Sequence, residues 1–161
     1  MMKRTRMNCR WGLSVAAAVL CSAGAFSIAA AQQSQFGTAA EARAMLDKGV
    51  VAIKSDRAKA LEMFNSGEGG FRDRDLYVFC FNAKSGIFNA HVLKTLLNTD
   101  IRAVKERDGS PLGQKIFDAV KEGAVTTVSY NFPRPGSDVP VPKESYVTAV
   151  GDQACGVGYY K

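Results

Sequence analysis

The chain has 161 residues, of which 47% are apolar, with 21 Lys and Arg against 15 Asp and Glu. Four of those basic residues and none of the acidic ones lie in the first ten positions, which leaves 17 against 15 for the rest. The basic balance therefore belongs largely to the N-terminus and gives no ground for a nucleic-acid partner.

Residues 1–31 read as a secretory leader. Lys3, Arg4, Arg6 and Arg10 make a positive start, Leu13 to Ala30 is uncharged and alanine-rich, and Ala29-Ala30-Ala31 offers the small-x-small site of signal peptidase. Gln32 would then be the first mature residue. A membrane anchor is the rival reading, because the apolar run approaches spanning length. The dominance of Ala, Ser and Gly, together with the cleavage site, favours removal, and the mature chain is then not membrane-embedded. Cys21 lacks the small preceding residue that a lipoprotein site needs. About 130 residues remain at 32–161, enough for one domain with one core.

Thr38 can cap a helix, with Glu41 completing a capping box. Ala42, Met45, Leu46, Gly49, Val50 and Ile53 follow at helical spacing. Ser55-Asp56 caps a second short helix carrying Ala58, Leu61 and Phe64, which Gly67, Gly69 and Gly70 end. Leu76 to Phe81 is apolar on both faces, as in a central strand covered on two sides. Residues 82–86 turn into a second strand, Ile87 to His91. Val92 to Asp108 lacks a clean period and reads as an irregular, partly helical crossover. Leu112, Ile116, Phe117 and Val120 mark a helix ended by Gly123, and Ala124 to Phe132 is a third strand. A loop with Pro133, Pro135, Gly136, Pro140 and Pro142 precedes a fourth strand, Ser145 to Val150. Gly151-Asp152 turns into the fifth, Gln153 to Tyr160. These elements predict an α+β domain of five strands, N-terminal helices and a helical crossover, without internal repeats.

In the last strand Cys155, Val157 and Tyr159 share one face, while Gly156 and Gly158 leave the other bare. Such a face admits a helix backbone or a ligand. Two cysteines survive leader removal, Cys80 in the first strand and Cys155 in the last. If those strands are neighbours, a disulfide would add ~4 kcal/mol in the chain-entropy model. Two buried free thiols are the alternative, and the sequence leaves both open.

The order Asp75-Leu76-Tyr77-Val78-Phe79, Gly86 with His91, Asp108-Gly109, Tyr130, Pro142-Lys143-x-x-Tyr146 and Gly156-Val157-Gly158-Tyr159-Tyr160 resembles the single-Cache sensor domain. That family forms the periplasmic part of bacterial chemoreceptors and sensor kinases. The likeness spans about residues 38–161. It implies a PAS-like, five-stranded antiparallel sheet behind an N-terminal helix, with a pocket over one sheet face for small organic ligands, often short carboxylates. Asn131 stands where the family often has a more polar or basic residue.

Lys143 and Tyr146 are the first candidates to hold a carboxylate by charge-assisted hydrogen bonds. Their spacing puts them on opposite faces of an ideal strand. They converge only if Lys143 lies in the loop before the strand. His91, the only histidine, offers a pocket hydrogen bond, and no metal spacing accompanies it. Tyr77, Phe79, Tyr130 and Phe132 alternate on their strands and could wall an apolar pocket, with Asn131 beside them. Arg102, Lys105 and Arg107 form a basic stretch in the crossover, and Asp108-Gly109 reads as a turn. No nucleophile–base pair or cofactor motif emerges, so an enzyme is not expected. The expectation is a periplasmic or secreted module that binds a small organic anion and works with a membrane chemoreceptor or sensor kinase. The alternative is an accessory module for protein contact without a ligand.

Overall fold

The computed structural model describes residues 34–134 and 136–161, so the leader expected over residues 1–31 lies outside the described residues. Helix α1 (Ala39–Ser55) begins at the predicted capping box, with Thr38 and Glu41 each satisfying the other's backbone N–H. Asp56 ends α1 and caps α2 (Arg57–Ser66) through its side chain, which accepts from Lys59 N–H. Gly67 closes α2 at φ 81°, a left-handed position that favours glycine.

Six antiparallel strands follow in chain order: β1 (Arg72–Asp73), β2 (Leu76–Asn82), β3 (Phe88–Ala90), β4 (Thr126–Pro133), β5 (Pro140–Val150) and β6 (Gln153–Tyr160). They lie in the order β1-β2-β6-β5-β4, with β3 also on β2. The predicted sheet of five is thus extended by β1. Two charged residues carry no alternation that could signal a strand. They pair with Leu76 and Tyr77 only because Arg74 turns the chain at a positive φ of 54°.

Other boundaries moved for physical reasons. The second predicted strand keeps only Phe88–Ala90, with His91 just beyond it, and short 3₁₀ turns at Lys94–Leu96 and Ile101–Ala103 make the crossover. Helix α3 (Leu112–Ala119) stops at Val120 rather than at Gly123, which instead sits in a turn. The largest change is β5, which starts at Pro140 rather than Ser145. Pro142 is tolerated inside it because its carbonyl accepts from Lys161 N–H. Its missing N–H therefore faces the end of β6, where no ladder bond is lost.

The sheet separates two apolar clusters. On one face α1 and α2 lay Ala42, Leu46, Ala60 and Phe64 against Val78, Cys80, Cys155 and Val157. On the other, Phe81, Phe88, Ile101, Leu112 and Ile116 gather with Val128 and Val147. Each such side chain contributes ~1.5–3 kcal/mol on burial. Central β2 is covered on both sides, which explains its unbroken apolar run.

Cys80 and Cys155 are register partners on β2 and β6 and are joined by a disulfide on the helical face. The bridge ties strands 75 residues apart in sequence. Replacing both cysteines by Ala is expected to cost about 2–4 kcal/mol of unfolding free energy. The urea midpoint of the Cys80→Ala/Cys155→Ala variant checks this, and an unchanged midpoint would contradict it.

Candidate functional site

Lys143 lies well inside β5, paired with Tyr130 on one side and Tyr160 on the other. Alternation along the strand sends Lys143, Ser145 and Val147 to the face opposite the N-terminal helices. Tyr146 therefore points away, toward the helical cluster, where its ring stacks on Tyr159 at 5.4 Å. The expected convergence of Lys143 with Tyr146 needed Lys143 in a loop. The early start of β5 rules out that geometry.

Lys143 is only 2% exposed. Its Nζ sits beneath three aromatic rings, 4.3 Å from the centroid of Tyr160, 5.1 Å from Tyr77 and 5.5 Å from Phe132. Among the described residues no carboxylate lies within ion-pair distance of it. Burial pushes its pKa down to about 8, Asp75 nearby opposes that shift, and Arg134 adds to it. Ring faces offset part of the desolvation cost of an ammonium, at about 0.5–2 kcal/mol per contact.

The bare face of β6 makes this burial feasible. A Cβ on Gly158 would stand 2.7 Å from Lys143 Cε and 2.7 Å from Ser145 Oγ. One on Gly156 would stand 2.5 Å from the Phe79 ring. Neighbouring side chains, rather than a helix backbone, fill the space that the two glycines leave. Phe79 and the Lys143 stem lie flat across β6.

Above these residues is an apolar cavity of about 50 Å³, walled by Tyr77, Phe79, Phe88, His91, Tyr130 and Phe132 with residues of α3 and the crossover. That volume holds on the order of four water-sized groups, the size of a very small organic acid. Five of the predicted residues, Tyr77, Phe79, His91, Tyr130 and Phe132, meet there. Asn131 does not, because it is the exposed neighbour between Tyr130 and Phe132. Its backbone N–H instead donates to Glu106.

The polar atoms at this cavity are mostly donors. His91 Nδ1 accepts from Leu93 N–H at 2.9 Å, so the neutral ring carries its proton on Nε2. Burial, the Lys143 charge and Lys94 lower its pKa to about 4, against the opposing Leu93 bond. The ring is held edge-on by Tyr77 at 5.3 Å and Phe88 at 5.5 Å. The Tyr130 hydroxyl bonds Ser145 Oγ at 2.7 Å. Burial raises the pKa of both Tyr77 and Tyr130, which keeps both phenols protonated. Lys143 does not itself line the cavity; its ammonium lies against the rings of Tyr77 and Phe132, which do. An imidazole N–H and phenolic hydroxyls beside apolar walls, with that ammonium behind two of them, can hold a small anion.

Ser145, Tyr160, Asp75 and Arg134 were absent from the sequence-derived site. Tyr160 could have been found, since alternation puts it on the same face as Gly156 and Gly158. Of the basic crossover residues, Arg102 pairs with Asp100 at 2.6 Å and Arg107 bonds the Asp138 carbonyl. Asp108 accepts from Ser110 N–H at 2.9 Å, in the turn expected there. Among the described residues no cluster of three His, Cys, Asp or Glu could hold a metal ion.

The family model dCache_2, a Cache domain, matches residues 44–154. Among solved structures, the fold is similar to that of a methyl-accepting chemotaxis protein from Vibrio parahaemolyticus, with TM-score 0.60 and 23% identity over 75% of this chain and 86% of that one. It is also similar to the periplasmic sensor domain of a chemotaxis protein, with TM-score 0.56 and 24% identity over 75% and 88%. A third similar structure is a Cache chemosensory domain described for carboxylic acid recognition, with TM-score 0.53 and 22% identity over 75% and 86%. Comparison with curated protein sequences gives no match.

Burying the Lys143 charge has a cost that pH can reveal. The unfolded lysine titrates near 10.4 and the folded one at about 8, so between those values the unfolded chain binds more protons. Stability from this group therefore rises with pH across that window, by on the order of 3 kcal/mol in total. Lys143→Met is expected to be more stable than the wild type at pH 7, with the gap closing by pH 10 in urea titrations. A gap that stays constant with pH would contradict the buried charge.

Proposed function

Because the chain belongs to the Cache-domain family, we propose that it is a sensor module that binds a short organic anion, a carboxylate, over the face of its sheet. The observation that carries this reading is Lys143, an ammonium 2% exposed and without an ion-pair partner among the described residues. A protein gains little stability from such a group, since removing a charge from water costs several kcal/mol. A ligand carboxylate would supply the missing countercharge. His91 Nε2–H and the Tyr77 hydroxyl would add neutral donors, and the aromatic walls would take the short carbon chain.

The fit between ligand class and cavity is supported by size as well as charge. Four or so heavy atoms suit the small cavity, and its apolar walls favour an aliphatic acid over a sugar or nucleotide. Tyr146 and Asn131 have no part in this site. The reading extends to context: residues 1–31 would direct export, the Cys80–Cys155 disulfide suits an oxidising compartment, and a membrane chemoreceptor or sensor kinase would receive the signal. No helix among the described residues is long and apolar enough to cross a membrane.

Binding stabilises the folded state by mass action. A short carboxylate at a hundredfold excess over its Kd should raise unfolding free energy by about 2.7 kcal/mol. Lys143→Met should lose that gain while remaining folded. Because the ligand requires the ammonium, affinity should be roughly tenfold weaker at pH 9 than at pH 7. From pH 7 down to 5.5 it should change little, because His91 is neutral throughout that range. Thermal denaturation with a panel of two- to four-carbon acids checks each point. A full stabilisation retained by Lys143→Met would refute the assignment.

A further inference from the structure

A second polar arrangement lies beside the Lys143 cage. Asp75 is 5% exposed, and its Oδ1 accepts from Gly37 N–H at 2.6 Å. Its Oδ2 is buried with no hydrogen-bond partner. Arg134 Nη1 is likewise buried without a partner and stands 3.9 Å from that oxygen. The Arg134 guanidinium is held between the rings of Phe36 at 4.1 Å and Tyr160 at 4.5 Å. Both side chains line a larger cleft of about 540 Å³, which shares Tyr77 and Phe132 with the apolar cavity.

The spacing is informative. A purely structural ion pair closes to about 2.8 Å, because a charged group left one hydrogen bond short is costly when buried. Here the backbone of Gly37 fixes the carboxylate and two rings fix the guanidinium. The result is an acceptor and a donor, opposed and preorganised, each with one bond to give. A ligand with a hydrogen-bond donor next to an acceptor bridges them. Net charge narrows the choice. Asp75 and Arg134 cancel each other, which leaves the Lys143 ammonium as the surplus buried charge. A ligand of charge −1 balances it, whereas a zwitterionic amino acid leaves it uncompensated.

We propose that Asp75 and Arg134 read the substituent on carbon 2 of the bound carboxylate, and that the ligands are short 2-hydroxycarboxylates. The carboxylate keeps the Lys143 ammonium as its countercharge, the hydroxyl donates to Asp75 Oδ2 and accepts from Arg134 Nη1, and the carbon chain runs along Tyr77 and Phe132. This inference rests on the carboxylate reading above and adds the pair that selects among carboxylates.

The test is calorimetric titration of the full chain at pH 7 with propionate, lactate and alanine, which share a three-carbon skeleton. Lactate is expected to bind at least about tenfold more tightly than propionate, the effect of one hydrogen bond to a charged group. Asp75→Asn should reduce that ratio to within about twofold, and Arg134→Gln should also erase the preference. Circular dichroism identifies a variant that fails to fold, in which case the wild-type ratio decides alone. Equal affinity for propionate and lactate would overturn the inference and leave the carboxylate reading standing. Alanine binding more tightly than lactate would overturn it in favour of a zwitterion. If none of the three binds, the carboxylate reading falls and this inference falls with it.

Discussion

An ammonium group has been taken out of water and given aromatic rings for company. That constraint organises one whole face of this sheet. Lys143 reaches its position only because β6 lacks side chains at Gly158, and its charge is tolerated because Tyr77, Phe132 and Tyr160 turn ring faces toward it. The same charge helps keep His91 neutral and so fixes it as a hydrogen-bond donor. Electrostatics and packing are thus a single problem here: a Cβ at Gly158 would disturb the charge, and a different charge would change the donors around the cavity.

The opposite face has a different task. Its apolar helices, the disulfide and the Tyr146–Tyr159 stack make a conventional core with no buried lysine. Stability concentrated there allows the other face to carry groups that cost free energy, as sites built for binding do. Asp75 belongs to both tasks. It anchors Gly37, just before α1, and it faces Arg134 across the cleft.

Much of this was legible in the residues. The capping box at Thr38, the two-sided apolar run of β2, and the alternation of Tyr77 with Phe79 and of Tyr130 with Phe132 all carry local signals. The family resemblance added an antiparallel sheet behind an N-terminal helix and a pocket over one of its faces. What was not legible depended on pairing between distant segments. Proline normally argues against a central strand, so the residues alone place the strand start at Ser145, after the prolines. Only the register of β5 against β6 shows that Pro142 faces a strand end. Moving that boundary separates Lys143 from Tyr146 and brings Tyr160 under the ammonium instead. Arg134, flanked by prolines in an irregular segment, gave no periodic signal. Its placement depends on Phe36 and Asp75, which are remote in sequence.

The central claim is that Lys143 is a buried cation awaiting an anionic partner. The most direct measurement is its own titration, followed by NMR of labelled lysine side chains with and without a short carboxylate. The account predicts a midpoint near 8 in the free protein and a rise of at least about one pH unit when the ligand binds. A midpoint near 10.4 in the free protein, or one that the ligand leaves in place, would contradict it.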